Sequence, residues 1–178
     1  MPPRGDYGEE QGLSTVGVLF VCTGNICRSP TAEGVVRARL AEAGLAARVT
    51  VDSAGLEGWH AGDPPDPRAI ACAVARGYDL APQRARQFGR ADFGRFALIL
   101  GMDRNHVSAL RARQGGSAPG GATSQIRLFL DFLPPDDPQF GRDVPDPYYG
   151  DRRDYELSLD LIERGTPELI EALKRDFL

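Results

Sequence analysis

Two rhythms of apolar residues alternate along this chain. Short, nearly continuous apolar runs mark buried strands, and longer stretches with apolar residues every three or four positions mark amphipathic helices. Val16–Cys22 (VGVLFVC) is the first run; it reads as a buried strand that stops at a small polar loop. Ser29–Ala43 follows with Ala32, Val35, Val36 and Leu40 near helical spacing, and Gly44 supplies a stop. Arg48–Ala54 (RVTVDSA) is a β-branched second strand. Pro67–Arg76 reads as a helix with Gly77 at its C′ position. Phe96–Met102 is a third strand, and Asp103 can cap a helix running to about Arg113. Gln125–Phe129 is a short fourth strand. Asp151–Phe177 closes the chain as a helix, with a break expected at Gly165-Thr166-Pro167.

Strands and helices that alternate through short connections imply a parallel sheet wound on both faces. The expected architecture is a single three-layer α/β domain over residues 15–178. It holds a four-stranded parallel sheet in the flavodoxin-like order 2-1-3-4, with helices on both faces. Residues 1–14 are polar, carry acids and lack an apolar h-region, so a disordered extension is expected there rather than a secretory signal. Three stretches read as loops: GLEGWHAGDPPDP, the low-complexity QGGSAPGGATS and the Pro/Asp-rich LPPDDPQFGRDVPDPYYG. In open parallel sheets ligands bind beyond the carboxyl ends of the strands, so the loop after Cys22 lies in that crevice.

Composition narrows the class. The chain has 178 residues, 42% of them hydrophobic and 26% charged, as in a soluble globular domain with a substantial core. A net charge of -4 leaves no electrostatic footprint for nucleic acid. No stretch is long and apolar enough for a membrane span. Three cysteines, an odd count, point to free thiols in a reducing cytoplasm rather than to a disulfide scaffold. His60 and His106 form no zinc spacing with the cysteines, so neither a metal nor a cofactor is expected.

The segment Cys22-Thr23-Gly24-Asn25-Ile26-Cys27-Arg28-Ser29 carries the chemistry. Gly24 and Asn25 both tolerate positive φ, which lets successive N–H groups turn into one concavity. Such a nest at a helix N-terminus is an anion site. Arg28 adds a planar fork matched to phosphate oxygens. Helix N-termini and nearby cations favour the thiolate form of a cysteine, and Ser29 is placed to donate to the sulfur or to cap the helix. The loop thus joins a nucleophile to a cradle for a tetrahedral oxyanion.

The spacing Cys-x5-Arg-Ser resembles the signature of protein tyrosine phosphatases. The fuller string VCTGNICRSPTAE, Val21 to Glu33, is similar to the low-molecular-weight class of that family. The similarity continues in VDSAG, WHAGDPPDPRA, RARQF, LGMDRNH and VPDPYYG, and spans the chain from about residue 16 to its end. The resemblance implies hydrolysis of phosphotyrosine in protein substrates, and of aryl phosphates generally, as in an acid phosphatase. Cys22 would form a phosphocysteine, Arg28 would bind the phosphate, and Asp146 would serve as general acid and then base. It further implies Thr23, Gly24, Asn25, Ile26, Cys27 and Ser29 as the phosphate-binding loop, with Ser53 beside Asn25 as support. Gln83 stands where the family often has a loop-supporting histidine. Trp59, Tyr148 and Tyr149 would form an aromatic rim, Ile26 an apolar wall, and Cys27 a redox partner that protects Cys22. Tyr149, with Tyr148, would be a site for a tyrosine kinase.

Plainer readings stand beside these. Cys72, inside IACAVA, belongs in the core. Asp103 is an N-cap, with Asn105 and His106 at the same helix start. Asp143 competes with Asp146 as the acid but reads as solvated. Three other functions fit parts of the pattern: an arsenate reductase, which needs further relay cysteines; an arginine phosphatase, disfavoured by Ile26 and the aromatic rim; and a catalytically silent phosphoprotein-binding module.

Overall fold

The computed structural model describes residues 15–115 and 124–178. The expected extension over residues 1–14 and most of the glycine-rich loop, residues 116–123, lie outside the described residues. Four strands form one parallel sheet: β1 (Val16–Cys22), β2 (Val49–Gly55), β3 (Leu98–Gly101) and β4 (Gln125–Leu128). Their order is β2-β1-β3-β4, as expected. β1 lies in the middle, with Cys22 opposite Gly55 and Val21 opposite Gly101. A central parallel strand is covered on both faces, which is why VLFVC shows no polar alternation.

Successive residues of β1 point to opposite sides. Val18, Phe20 and Cys22 enter a core built with α1 (Arg28–Glu42), α2 (Pro67–Val74) and the long α5 (Arg152–Asp176). Leu19 and Val21 enter a second core with Phe93 of the short helix α3 (Asp92–Arg95) and with Val107 and Leu110 of α4 (Arg104–Gln114). The strand therefore delivers the Cys22 side chain to the α1 side of the sheet's carboxyl edge.

The structure corrects several boundaries. The first helix starts at Arg28 with Cys27 at its N-cap position, so Arg28 is helical rather than part of the loop. The third strand is only four residues long, and the fourth gives way at once to a 3₁₀ turn, Phe129–Phe132. α3 spans four residues, too few to leave a periodic signal in the sequence.

The expected break at Gly165-Thr166-Pro167 is absent: α5 runs unbroken for 25 residues with Pro167 inside it. Proline removes one helical hydrogen bond. The buried stripe of Leu159, Ile162, Leu169, Ile170 and Leu173 continues on both sides of the proline and packs both halves against the core. Gly165 serves packing. A Cβ there would lie 2.8 Å from Cζ of Phe129.

Candidate active site

The loop from Cys22 to Arg28 is fixed from outside by backbone bonds. The Leu56 N–H donates to the Cys22 carbonyl and the Glu57 N–H to the Thr23 carbonyl, both at 2.9 Å. The Asp66 N–H donates to the Ile26 carbonyl at 2.8 Å. Gly55 makes the second of these approaches possible, since a Cβ would sit 2.8 Å from the Thr23 carbonyl oxygen.

Asn25 has φ 58°, the only positive φ at a non-glycine position among the described residues. Its side chain holds that conformation with every polar atom it has. Nδ2 donates to Ser29 Oγ and Ser53 Oγ, each at 2.9 Å, and Oδ1 accepts the Arg86 N–H at 3.0 Å. Ser53 in turn donates to the buried carboxylate of Glu33 at 2.5 Å, and Glu33 also pairs with Arg37. Burial pushes the Glu33 carboxyl up, against the opposing pull of Ser53 and Arg37.

The same network reaches the thiol. Cys22 Sγ lies 2.9 Å from Ser29 Oγ and accepts the Asn25 N–H at 3.3 Å. A thiolate only accepts, and Ser29 Oγ already accepts from Asn25. The Ser29 proton then has two acceptors, the Ala54 carbonyl at 3.4 Å and the sulfur at 2.9 Å, and a thiolate is the nearer and the charged one. The α1 N-terminus adds its first-turn N–H groups on the same side.

Arg28 is 4% exposed and held on several sides. Nη1 donates to Asp103 at 2.8 Å and to the Val144 carbonyl at 3.1 Å, while Nη2 stands 3.6 Å from the Asp146 carboxylate. Asp103 caps α4 and shares a capping box with His106. Burial works against its charge, but the His106 N–H and Arg28 outweigh burial and hold the carboxyl below its usual range. His106 Nδ1 accepts the Asp103 N–H, so Nε2 carries the proton and donates to Thr23 Oγ1 at 3.0 Å. Burial lowers His106 to about 4, which keeps the ring neutral.

A pocket of about 280 Å³ opens over this loop. Cys22, Thr23, Gly24, Ile26, Cys27 and Arg28 line it from the cysteine loop. Asp146, Trp59, His60, Tyr148 and Tyr149 stand at the mouth. Asp146 is half-exposed and accepts the Tyr148 N–H at 3.1 Å. The Tyr148 and Tyr149 rings meet edge to face at 4.9 Å. Cys27 Sγ lies 3.4 Å from the Tyr155 hydroxyl, and burial pushes its thiol up to about 12.

The structure therefore brings Cys22, Arg28 and Asp146 to one pocket, with Thr23, Gly24, Ile26 and Cys27 around them and Asn25, Ser29 and Ser53 behind. Gln83 stands apart. Its amide donates to the Pro30 carbonyl at 3.0 Å and its Oε1 has no partner. It supports the first turn of α1, while the Arg86 backbone N–H holds Asn25. Asp143 pairs with the exposed Arg104, away from the pocket. Sequence reasoning missed Glu33, the Arg28 contact of Asp103, and His106 as a loop partner. The i, i+3 spacing of Asp103 and His106 was a usable sign of a capping box.

The fold and this pocket place the chain among doubly wound α/β proteins with a cysteine- and arginine-lined pocket at the carboxyl edge of the sheet. The family described as low molecular weight phosphotyrosine protein phosphatase matches residues 17–177. A low molecular weight protein-tyrosine-phosphatase of Streptomyces coelicolor is 42% identical over 163 residues, covering 90% of this chain and 94% of that protein. The solved structure of YfkJ from Bacillus subtilis shares 36% identity with a TM-score of 0.82, covering 93% of this chain and 98% of that one. A drosophila arginine phosphatase has a TM-score of 0.80 at 26% identity, covering 89% and 98%. The chain belongs to the low-molecular-weight protein tyrosine phosphatase family and is thus a phosphoric monoester hydrolase. No helix among the described residues is long and apolar enough to cross a membrane.

Proposed function

We propose that the chain hydrolyses phosphotyrosine through a phosphocysteine on Cys22. The observation that carries this is the meeting of Cys22, Arg28 and Asp146 in one pocket, with Arg28 Nη2 3.6 Å from Asp146. The thiolate attacks phosphorus while the aryl O–P bond breaks. Arg28 and the loop N–H groups hold the oxygens of the transferring group. Asp146 passes its proton to the departing phenolate. Asp146, now a carboxylate, takes a proton from water as that water attacks phosphorus. The S–P bond breaks, inorganic phosphate leaves and the thiolate returns.

The aromatic mouth and Ile26 suit a ring, which favours tyrosine over arginine as the phosphorylated side chain. An arginine phosphatase shares the fold, so the pocket wall rather than the topology separates the two readings. Cys27 stands beside Cys22 as a second thiol. Peroxide would convert Cys22 to a sulfenic acid, and the Cys27 sulfur would displace water to form a disulfide, shielding Cys22 from further oxidation. Tyr149, 93% exposed, is open to a tyrosine kinase, and mass spectrometry of protein from its own cell checks this. The central test is aryl phosphate hydrolysis by wild type, Cys22→Ser and Asp146→Asn. Activity retained in Cys22→Ser would overturn the mechanism, and hydrolysis of phosphoarginine in preference to phosphotyrosine would overturn the substrate class.

A further inference from the structure

The geometry points to Arg68 as the positioning residue of the acid loop: it clamps Tyr148, and through Tyr148 it sets where Asp146 stands. This assignment rests on Asp146 as the general acid. Arg68 does not line the pocket, so it acts through other residues.

Its guanidinium is anchored on one side and applied on the other. The anchor is Asp66. Arg68 Nε and Nη2 meet the two carboxylate oxygens of Asp66 at 3.0 and 2.9 Å, a two-pronged fork. Asp66 is fixed in turn: it caps α2 through the Arg68 N–H, and its own N–H donates to the Ile26 carbonyl in the phosphate-binding loop. The fork therefore grows from the body that shapes the cysteine loop.

The working side is aromatic. The guanidinium carbon lies 4.8 Å from the Tyr155 ring centre and 5.7 Å from that of Tyr148, within cation–π range of both. Nη1 also reaches the Gly150 carbonyl at a long 3.5 Å. Tyr155 is buried on α5, so it supplies a packed surface on the far side of the guanidinium from Tyr148. Tyr148 is bound to Asp146 by the turn between them, whose middle residue is the stiff Pro147. The Asp146 carboxylate is held by the Tyr148 backbone N–H, so a shift of that backbone carries the carboxylate with it, and Arg68 restrains the backbone through the Tyr148 ring and the Gly150 carbonyl.

A partly exposed ion pair contributes little to stability, so the Asp66 fork alone gives no reason for an arginine here. The geometry of the clamp does. Proton transfer needs the acid within hydrogen-bond reach of the leaving oxygen, and small misplacements are expensive in rate. Losing the clamp should therefore harm esters that need the acid and spare those that do not.

The test uses two substrates. Phenyl phosphate has a poor leaving group that needs a proton, as tyrosine does, and dinitrophenyl phosphate releases a stable anion without one. Arg68→Met keeps most of the stem and removes the fork. It should lower kcat/KM for phenyl phosphate about tenfold and for dinitrophenyl phosphate less than about twofold. Competitive inhibition by inorganic phosphate should stay within about twofold, because the clamp leaves the cysteine loop in place. Equal losses on both esters, no loss on either, or a large change in phosphate inhibition would each overturn the assignment. Asp146→Asn is the reference and must show the same contrast between substrates, more strongly. If that reference is flat, the acid assignment itself fails. If it shows the contrast and Arg68→Met does not, only the role of Arg68 falls.

Discussion

Replacing Asn25 by alanine should disable the enzyme without unfolding it. The substitution removes three hydrogen bonds, to Ser29, Ser53 and the Arg86 N–H. At about 1 kcal/mol each they amount to about 3 kcal/mol. Alanine also meets a cost of about 1 kcal/mol at φ 58°, where asparagine is better tolerated. The sum, about 4 kcal/mol, falls on the loop conformation rather than on the core, because the loop can relax locally while β1 and α1 stay packed. Part of it reaches the transition state, and kcat/KM for an aryl phosphate should drop roughly 10²–10³-fold, since each 1.36 kcal/mol is tenfold. Asn25→Gly separates the two causes: it restores the backbone freedom but not the bonds, and should run about fivefold faster than the alanine variant. The assay is steady-state hydrolysis at fixed pH, with thermal melting to confirm folding. An alanine variant within about threefold of wild type would refute the claim that this side chain holds the loop. Equal rates for the alanine and glycine variants would remove the strain from the account.

Other expectations follow from single contacts. Asp103→Asn weakens the charged partner of a buried arginine, and a bond of that kind is worth about 1.5–3 kcal/mol, so kcat/KM should fall about 10–100-fold with the melting temperature only slightly lower. His106 sits near 4 when folded and at its ordinary value near 6.5 when unfolded, so between those values the unfolded chain binds more protons. Stability should therefore fall as pH drops through that window, by up to about 3 kcal/mol from this ring. His106→Gln should flatten the slope in denaturant titrations at stepped pH, and an unchanged slope would count against the buried neutral ring. Gly165→Ala gains helix propensity of about 1 kcal/mol but drives a methyl against Phe129 at a cost of about 1–3 kcal/mol. Its melting temperature should fall, and a rise would show that Phe129 yields.

How far the sequence could be read depended on the range of the interaction that placed each residue. β1 and α1 were legible because their apolar spacing is local, and the cysteine loop was legible because cysteine, glycine, asparagine and arginine lie within seven positions of one another. Asp146 came only with the resemblance, since an aspartate before proline is otherwise an ordinary turn former. The residues that were missed are set by partners far along the chain. Arg28 meets Asp103 across 75 positions, and Thr23 meets His106 across 83. Within its own segment Asp103 does only what an N-cap does, and the structure shows that it caps α4 and holds Arg28 with the same carboxylate. Glu33 was hidden for a related reason: an acid four residues before Arg37 on a helix looks like a surface pair, and only the Ser53 hydroxyl from β2 marks it as buried. The misread helix break has the same origin. Gly165 and Pro167 are breakers by local rule, but the glycine answers to Phe129, 36 residues earlier in sequence and in direct contact in space. Local chemistry therefore announced the cysteine loop. The residues that hold that loop had to be found in three dimensions, because each of them gives one side of its side chain to an ordinary structural task.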